Sequence, residues 1–320
     1  YEWSANVKAV QINKYGHDDV LEVADIPRPT PGPGQVLVKI HAAGVNYYDI
    51  KIREGWLQGF FPLKLPHTIG NDFAGEVVEL GDGASKFEVG DKVYGLITVH
   101  HGGTYAEYLA VDENIIRPMP ENTSYLEAAS LPMPGLSGLL AMYDLAGIKE
   151  GQRLLYHGGA GGVGTVSIQL AKHLGAHVIA TCSEANFDFV KGLGADEVLD
   201  YNTTDFRDVA SAIDVAVDPI GGDTNLRTFE VMNPGGVIIV VLRDDPVEMA
   251  NRERLCREHQ VEVKVLAFDL YPEGLDTLRN KVEEGIIKPV VEHVYPLDQA
   301  QEAHKLIQGR HFAGRIVLEV

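Results

Sequence analysis

The sequence predicts an α/β chain of two domains, a β-rich one followed by a doubly wound parallel sheet. Three observations carry this. Short β-favouring runs broken by Gly and Pro fill the first third, strand and helix patterns alternate from about residue 125, and 320 residues suit two cores of ordinary size.

In the first third, 36–41, 75–80 and 92–97 are β-favouring runs, punctuated by 31–34, 81–83 and 101–103. Strands spaced this regularly predict a compact barrel-like or sandwich-like domain. Later, Arg153, Leu154, Leu155 and Tyr156 run into a glycine cluster, and Val163, Val166, Leu170 and Leu174 then recur at the helical spacings 3, 4 and 4. A strand over 177–181 and a helix over 185–193 follow, then strands near 196–199, 213–217 and 236–242, with a helix over 223–232. Strand, helix, strand in succession predicts a parallel sheet buried on both faces. Pro272 opens a helix reaching 284, and 314–320 reads as a strand returning to the first domain. The expected domains are 1–125 with 290–320, and 126–289.

Composition narrows the function. Lys and Arg number 27 against 46 Asp and Glu, a net charge of −19 that repels phosphate backbones and argues against a nucleic-acid partner. Two cysteines, Cys182 and Cys256, exclude a disulfide scaffold and a multi-cysteine metal site. No run approaches the roughly 18 apolar residues of a membrane span. Tyr1-Glu2-Trp3-Ser4 has neither a basic region nor an apolar one, so no secretory signal is expected. The expectation is a soluble, cytoplasmic chain with no membrane partner.

Gly159-Ala160-Gly161-Gly162-Val163-Gly164 fits G-x-G-x-x-G between a strand and a helix that leads to another strand. A diphosphate approaches such a backbone closely because no Cβ obstructs it, and helix N-terminal N–H groups meet its charge. All six residues are therefore candidates for dinucleotide binding. The second strand runs out into Thr181-Cys182-Ser183, with Glu184 the first acid. An acid ending that strand would favour NAD, whereas Ser183 can donate to a 2′-phosphate, so NADP(H) is expected.

The motifs together resemble the medium-chain dehydrogenase/reductase superfamily over nearly the whole chain. They are Ala43-Gly44-Val45-Asn46-Tyr47-Tyr48-Asp49, Gly70-Asn71-Asp72-Phe73-Ala74-Gly75-Glu76-Val77, Gly90-Asp91-Lys92-Val93-Tyr94 and the glycine loop. The resemblance implies a GroES-like catalytic domain and a Rossmann domain. Zinc-dependent members carry Cys where this chain has Asn46, and His-Glu where it has Asn71-Asp72. Those changes, with no four closely spaced cysteines, imply no zinc and no metal site. The pair His100 and His101 is read as a surface turn.

This metal-free pattern is similar to the quinone-oxidoreductase branch with its alkenal and enone reductases. The resemblance implies NADPH-dependent hydride transfer to a quinone or an α,β-unsaturated carbonyl. It places Asn46 and Tyr47 by the nicotinamide. Ser137, Tyr201, Arg315 and Val241 join the cofactor-facing set, with Asn186 where many relatives have a Lys for the 2′-phosphate. Lys51 stands where bacterial quinone reductases often carry Tyr. Chemically, Asn46 offers an amide donor for charge developing on the acceptor oxygen, and Tyr48 and Lys51 are candidate proton donors. Asp49 is expected to hold its loop through backbone hydrogen bonds, with Arg53 pairing with it or another acid, and Asp218 is expected in a strand-end turn. The bulky stretch 56–62 suits a pocket wall for flat hydrophobic acceptors. Alternatives are an enoyl-thioester reductase, or a cofactor-binding regulator without turnover. A homodimer is expected, pairing through an edge at 237–241 or 261–268.

Overall fold

The computed structural model describes residues 6–241, 246–267, 271–309 and 312–320, the side chains of 246–248 excepted. The stretch 1–4, Leu242 and Phe268, all read above, lie outside the described residues. The chain divides into two compact units: Tyr1–Leu136 with Leu270–Gly285 and Pro289–Val320, and Ser137–Asp269 with Ile286–Lys288.

The first unit opens with strands β1 (Asn6–Ile12), β2 (Leu21–Pro27) and β3 (Gln35–Val45), then helix α1 (Tyr47–Arg53). Strands β4 (His67–Thr68), β5 (Asp72–Leu80), β6 (Lys92–Leu96), β7 (Tyr108–Asp112) and β8 (Ile116–Pro118) follow, then α2 (Tyr125–Ala129) and α3 (Pro132–Leu139).

The second unit holds β9 (Arg153–Tyr156), α4 (Gly162–His173), β10 (His177–Cys182), α5 (Phe187–Gly192) and β11 (Glu197–Asp200). Next come β12 (Ile213–Asp218), α6 (Asp223–Thr228), β13 (Met232–Val241), α7 (Pro246–His259) and β14 (Glu262–Leu266). The chain returns to the first unit with α8 (Pro272–Glu283), β15 (Val291–Pro296), α9 (Ala300–Gly309) and β16 (Arg315–Glu319).

In the first unit β3 is the organising strand, antiparallel to β5, β7 and β16. Its buried Val36, Val38 and Ile40 alternate along one face and meet Phe73, Val77 and Val93, as an antiparallel strand with a buried face requires. Strand β16 pairs with β3 through Ile316 and Val45, so the expected returning strand joins this sheet, between β3 and β15.

The second unit contains six parallel strands in the order β11-β10-β9-β12-β13-β14. This is the doubly wound arrangement, with its reversal of strand order between β9 and β12, where ligands of such sheets bind. Leu155, Ile179, Ala216 and Ile238 are all fully buried, which is why these strands read as unbroken apolar runs.

Two boundaries differ from the sequence reading. Residues 126–136 belong to the first unit, because Met133 N–H donates to Asp72 and Ser130 carbonyl accepts from Arg315. Helix α8 belongs there too: Leu275 and Leu278 are buried, Tyr94 hydroxyl donates to Leu275 carbonyl at 2.6 Å, and Arg117 pairs with Asp276. The sheet edge also needs correction. Strand β13, holding 237–241, is internal, and β14 forms the edge beside it.

Candidate functional site

In the first unit, Asn46 follows β3 and is the N-cap of α1. Its backbone N–H donates to Asp49 Oδ2 at 2.7 Å, a reciprocal cap that fixes how the chain enters the helix. The amide has structural work already. Asn46 Nδ2 donates to Asp72 Oδ2 at 2.9 Å, and Oδ1 accepts from Arg315 Nη2 at 2.8 Å. Arg315 is 6 % exposed and also donates to Ser130 carbonyl. The geometry thus puts Arg315, expected to face the cofactor, inside this network.

The network runs further. Tyr105 hydroxyl donates to Asp49 Oδ2 at 3.1 Å and lies 3.2 Å from His304 Nε2. Arg53 Nη1 lies 3.0 Å from His304 Nδ1. Arginine only donates, so Nδ1 accepts and Nε2 carries the hydrogen given to Tyr105. Burial and Arg53 push the His304 pKa down to about 3, keeping it neutral as this arrangement requires. Burial pushes the Asp49 and Asp72 carboxyls up to about 7, against the hydrogen bonds and Arg315 that favour ionisation. Arg53 pairs with Glu54 rather than Asp49.

The other candidates of this unit lie on α1. Tyr47 meets Trp56 edge-on at 6.4 Å, and Lys51 Nζ lies over the Tyr47 ring at 6.0 Å. Tyr48 is half-buried, and burial with the Asp49 charge raises its hydroxyl pKa. Beyond the exposed Trp56, Phe60 and Phe61, a cavity of about 330 Å³ is lined by Leu63, Lys64, His67, Val99 and His100.

At the zinc-ligand positions, Asn71 Nδ2 donates to Ile97 carbonyl, and the Asp72 carboxylate accepts from Asn46 and Met133. Amides and an engaged carboxylate do not fit zinc. Among the described residues, no group of three His, Cys, Asp or Glu is placed to hold a metal.

In the second unit the glycine loop follows β9 at the reversal of strand order. Gly161 is the N-cap of α4 and no side chain caps the helix, so its first N–H groups remain available. Close packing demands Gly159 and Gly164. A Cβ on Gly164 would stand 2.5 Å from Gly159 carbonyl, and one on Gly159 would stand 3.0 Å from Ala180 Cβ. Val166, Ile168 and Leu170 are buried and hold α4 in place. The arrangement fits the diphosphate of a dinucleotide, with Gly161, Gly162, Val163 and Gly164 as its cradle. Ala160 is buried behind the loop.

The remaining cofactor candidates are dispersed around this unit. Ser183 is half-buried after β10, and Asn186 ends the short 3-10 turn Glu184–Asn186. Tyr201 is exposed beyond β11, Val241 ends β13, and Ser137 is buried in α3. Asp218 Oδ1 accepts from Ile220 and Gly221 N–H, the turn role expected of it.

Sequence reasoning missed Tyr105 and His304 as members of the first network, and His157 and Thr181 beneath the glycine loop. One signal was available: His304 shares its buried helix face with Ala300, Ala303 and Ile307, where an unpartnered imidazole would be costly.

Residues 32–121 match the family model for an alcohol dehydrogenase GroES-like domain, and 193–318 match that for a zinc-binding dehydrogenase. A chloroplast envelope quinone oxidoreductase homolog of Arabidopsis thaliana is 36% identical over 323 residues, 97% of this chain and 98% of that protein. The solved quinone oxidoreductase from Coxiella burnetii superposes with a TM-score of 0.89 at 33% identity, covering 98% of this chain and 99% of that one. A solved protein described as an NAD-dependent alcohol dehydrogenase gives 0.88 at 31% identity, with 98% and 99% covered. At that identity and coverage the chain belongs to the medium-chain dehydrogenase/reductase superfamily, in the quinone-oxidoreductase branch.

Proposed function

We propose that this protein is a zinc-free, NADPH-dependent reductase of quinones or α,β-unsaturated carbonyls. The observation that carries the reading is the uncapped, glycine-built start of α4 at the point where the sheet reverses its strand order. A bound nicotinamide would supply the hydride. Quinone as acceptor is drawn from the names of the Arabidopsis and Coxiella relatives.

The preference for NADPH rests on the end of β10. The strand finishes at Cys182 and passes into half-buried Ser183, while Glu184 is exposed. A hydroxyl there donates to a 2′-phosphate that a carboxylate would repel.

The chain's own residues act by positioning and by polarity. Asn46, held by Asp72 and Arg315, keeps one amide hydrogen for cofactor or acceptor. Burial and the Asp49 charge raise the Tyr48 hydroxyl pKa, so it stays protonated at neutral pH and is a candidate proton donor, and Lys51 Nζ lies over the Tyr47 ring. The exposed apolar flap suits a flat hydrophobic acceptor, and the cavity beside it adds the polar Lys64, His67 and His100. An enoyl thioester is less favoured, because the flap residues 56–61 include no hydroxyl-bearing aromatic.

Two measurements test the reading. Fluorescence titration should give a lower Kd for NADPH than for NADH; equal values would refute the preference. NADPH oxidation should rise with quinones or 2-alkenals. Turnover confined to enoyl-CoA would shift the substrate class, and none with any acceptor would leave a cofactor-binding regulator.

A further inference from the structure

His157 sits between β9 and the glycine loop, 1 % exposed. Its Nε2 lies 3.0 Å from Thr228 Oγ1, and its Nδ1 lies 3.4 Å from Thr181 Oγ1. The hydrogen positions follow from the neighbours. Thr228 hydroxyl donates its single hydrogen to Thr224 carbonyl at 2.7 Å, so toward His157 it can only accept. Nε2 therefore carries a hydrogen. Burial pushes the His157 pKa down to about 4, so the ring is neutral and Nδ1 is a bare acceptor. Thr181 hydroxyl donates to it. The same Thr181 oxygen accepts Gly158 N–H at 3.1 Å, and Thr181 carbonyl accepts Gly159 N–H at 2.9 Å.

A single direction of donation thus runs from Gly158 through Thr181, His157 and Thr228 to Thr224. It ties together the ends of β9 and β10, helix α6 and the residue that leads into the loop. Gly158 has φ +67°, a left-handed conformation, so its N–H must be held if the loop is to keep one shape. The Phe206 ring stands edge-on to the imidazole at 4.8 Å and blocks it from tilting. Asp218 and Arg227 are the charged groups facing the ring, and their effects on its charge oppose one another.

We propose that His157, as the neutral Nε2–H tautomer, is a positioning residue that presets the glycine loop for the dinucleotide diphosphate through Thr181. It touches no cofactor atom. Its contribution is preorganisation: the loop is already ordered when the ligand arrives, so less ordering is required on binding. The proposal rests on dinucleotide binding at the loop and holds for NADPH or NADH alike.

The test begins with the unaltered protein. ¹⁵N NMR of cofactor-free protein at neutral pH should show His157 protonated at Nε2 and bare at Nδ1. A proton on Nδ1, or an imidazolium, would overturn the proposal, and this holds even if no variant folds. Kd for NADPH and for NADH is then measured on Thr181→Val and Thr181→Ser. Val removes the hydroxyl while keeping the shape, and should weaken binding about tenfold, the equivalent of one buried hydrogen bond, with acceptor KM unchanged. Ser should restore it. Wild-type Kd in Thr181→Val, or no recovery in Thr181→Ser, would refute the link. Should neither cofactor bind the unaltered protein, dinucleotide binding itself fails, a result separate from the tautomer.

Discussion

Arg315 Nη2 donates to Asn46 Oδ1 at 2.8 Å, joining residues 269 positions apart. One opens strand β16; the other caps α1. Asp72 lies 3.6 Å from the same guanidinium and accepts from the same amide, so charge, amide and carboxylate form one buried unit. Removing a member leaves the others buried with fewer partners, Asp72 keeping Met133 N–H and Arg315 keeping Ser130 carbonyl. Asn46→Ala should therefore destabilise the protein by about 2–4 kcal/mol, and kcat/KM should also fall. Denaturant unfolding of Asn46→Ala, Arg315→Met and the double variant would check this. The double loss should be smaller than the sum by about 1–2 kcal/mol.

The glycine loop separates folding from binding. A Cβ on Gly161 would meet only Gly158 carbonyl at 3.3 Å, whereas one on Gly164 would strike Gly159 carbonyl at 2.5 Å. Gly161→Ala should keep Tm within a few degrees yet weaken cofactor binding about tenfold or more, because the methyl occupies the diphosphate's approach. Gly164→Ala should lower both. Calorimetry alongside fluorescence titration distinguishes the two outcomes.

His304 makes stability depend on pH. Its pKa falls from 6.5 unfolded to about 3 folded, so between those values the unfolded chain binds the extra proton. Stability from this group is complete above pH 6.5 and is lost as pH drops toward 3. Asp49 acts the other way. Raised from 3.8 to about 7, it stabilises below pH 3.8, and that contribution disappears as pH rises through 7. His304→Gln should flatten the acid limb of a Tm–pH profile by up to about one proton of linkage. Asp49→Asn should remove the opposing slope between pH 3.8 and 7 and so steepen the rise of Tm with pH there. An acid limb equally steep in His304→Gln would contradict the assigned neutral ring.

Among the described residues β14 is the last strand at one edge of the parallel sheet, with Val265 39 % exposed. Open edges invite pairing with a second copy. Light scattering should find a homodimer near twice 34.9 kDa, and Val265→Lys should shift it toward the monomer mass. A monomer for the unaltered protein would contradict the pairing.

The sequence by itself determined the elements and their order. Periods of two and of 3.6 reveal strands and helices because burial selects apolar side chains at the spacing each backbone repeats, and the glycine loop is legible because a diphosphate excludes every Cβ in its path. Asp49 as a loop-holding residue and Asp218 as a turn residue were readable for a similar reason: each bonds backbone within three positions. The tertiary structure alone decided what the remaining polar residues do. Asn46 reads as a free amide donor until Arg315 and Asp72 arrive from distant strands, and His304 and His157 read as ordinary histidines until burial removes their charge. Helix α8 takes its place in the first unit for the same cause. Its Leu275 and Leu278 specify that one face is buried, but no local pattern names the surface that buries it.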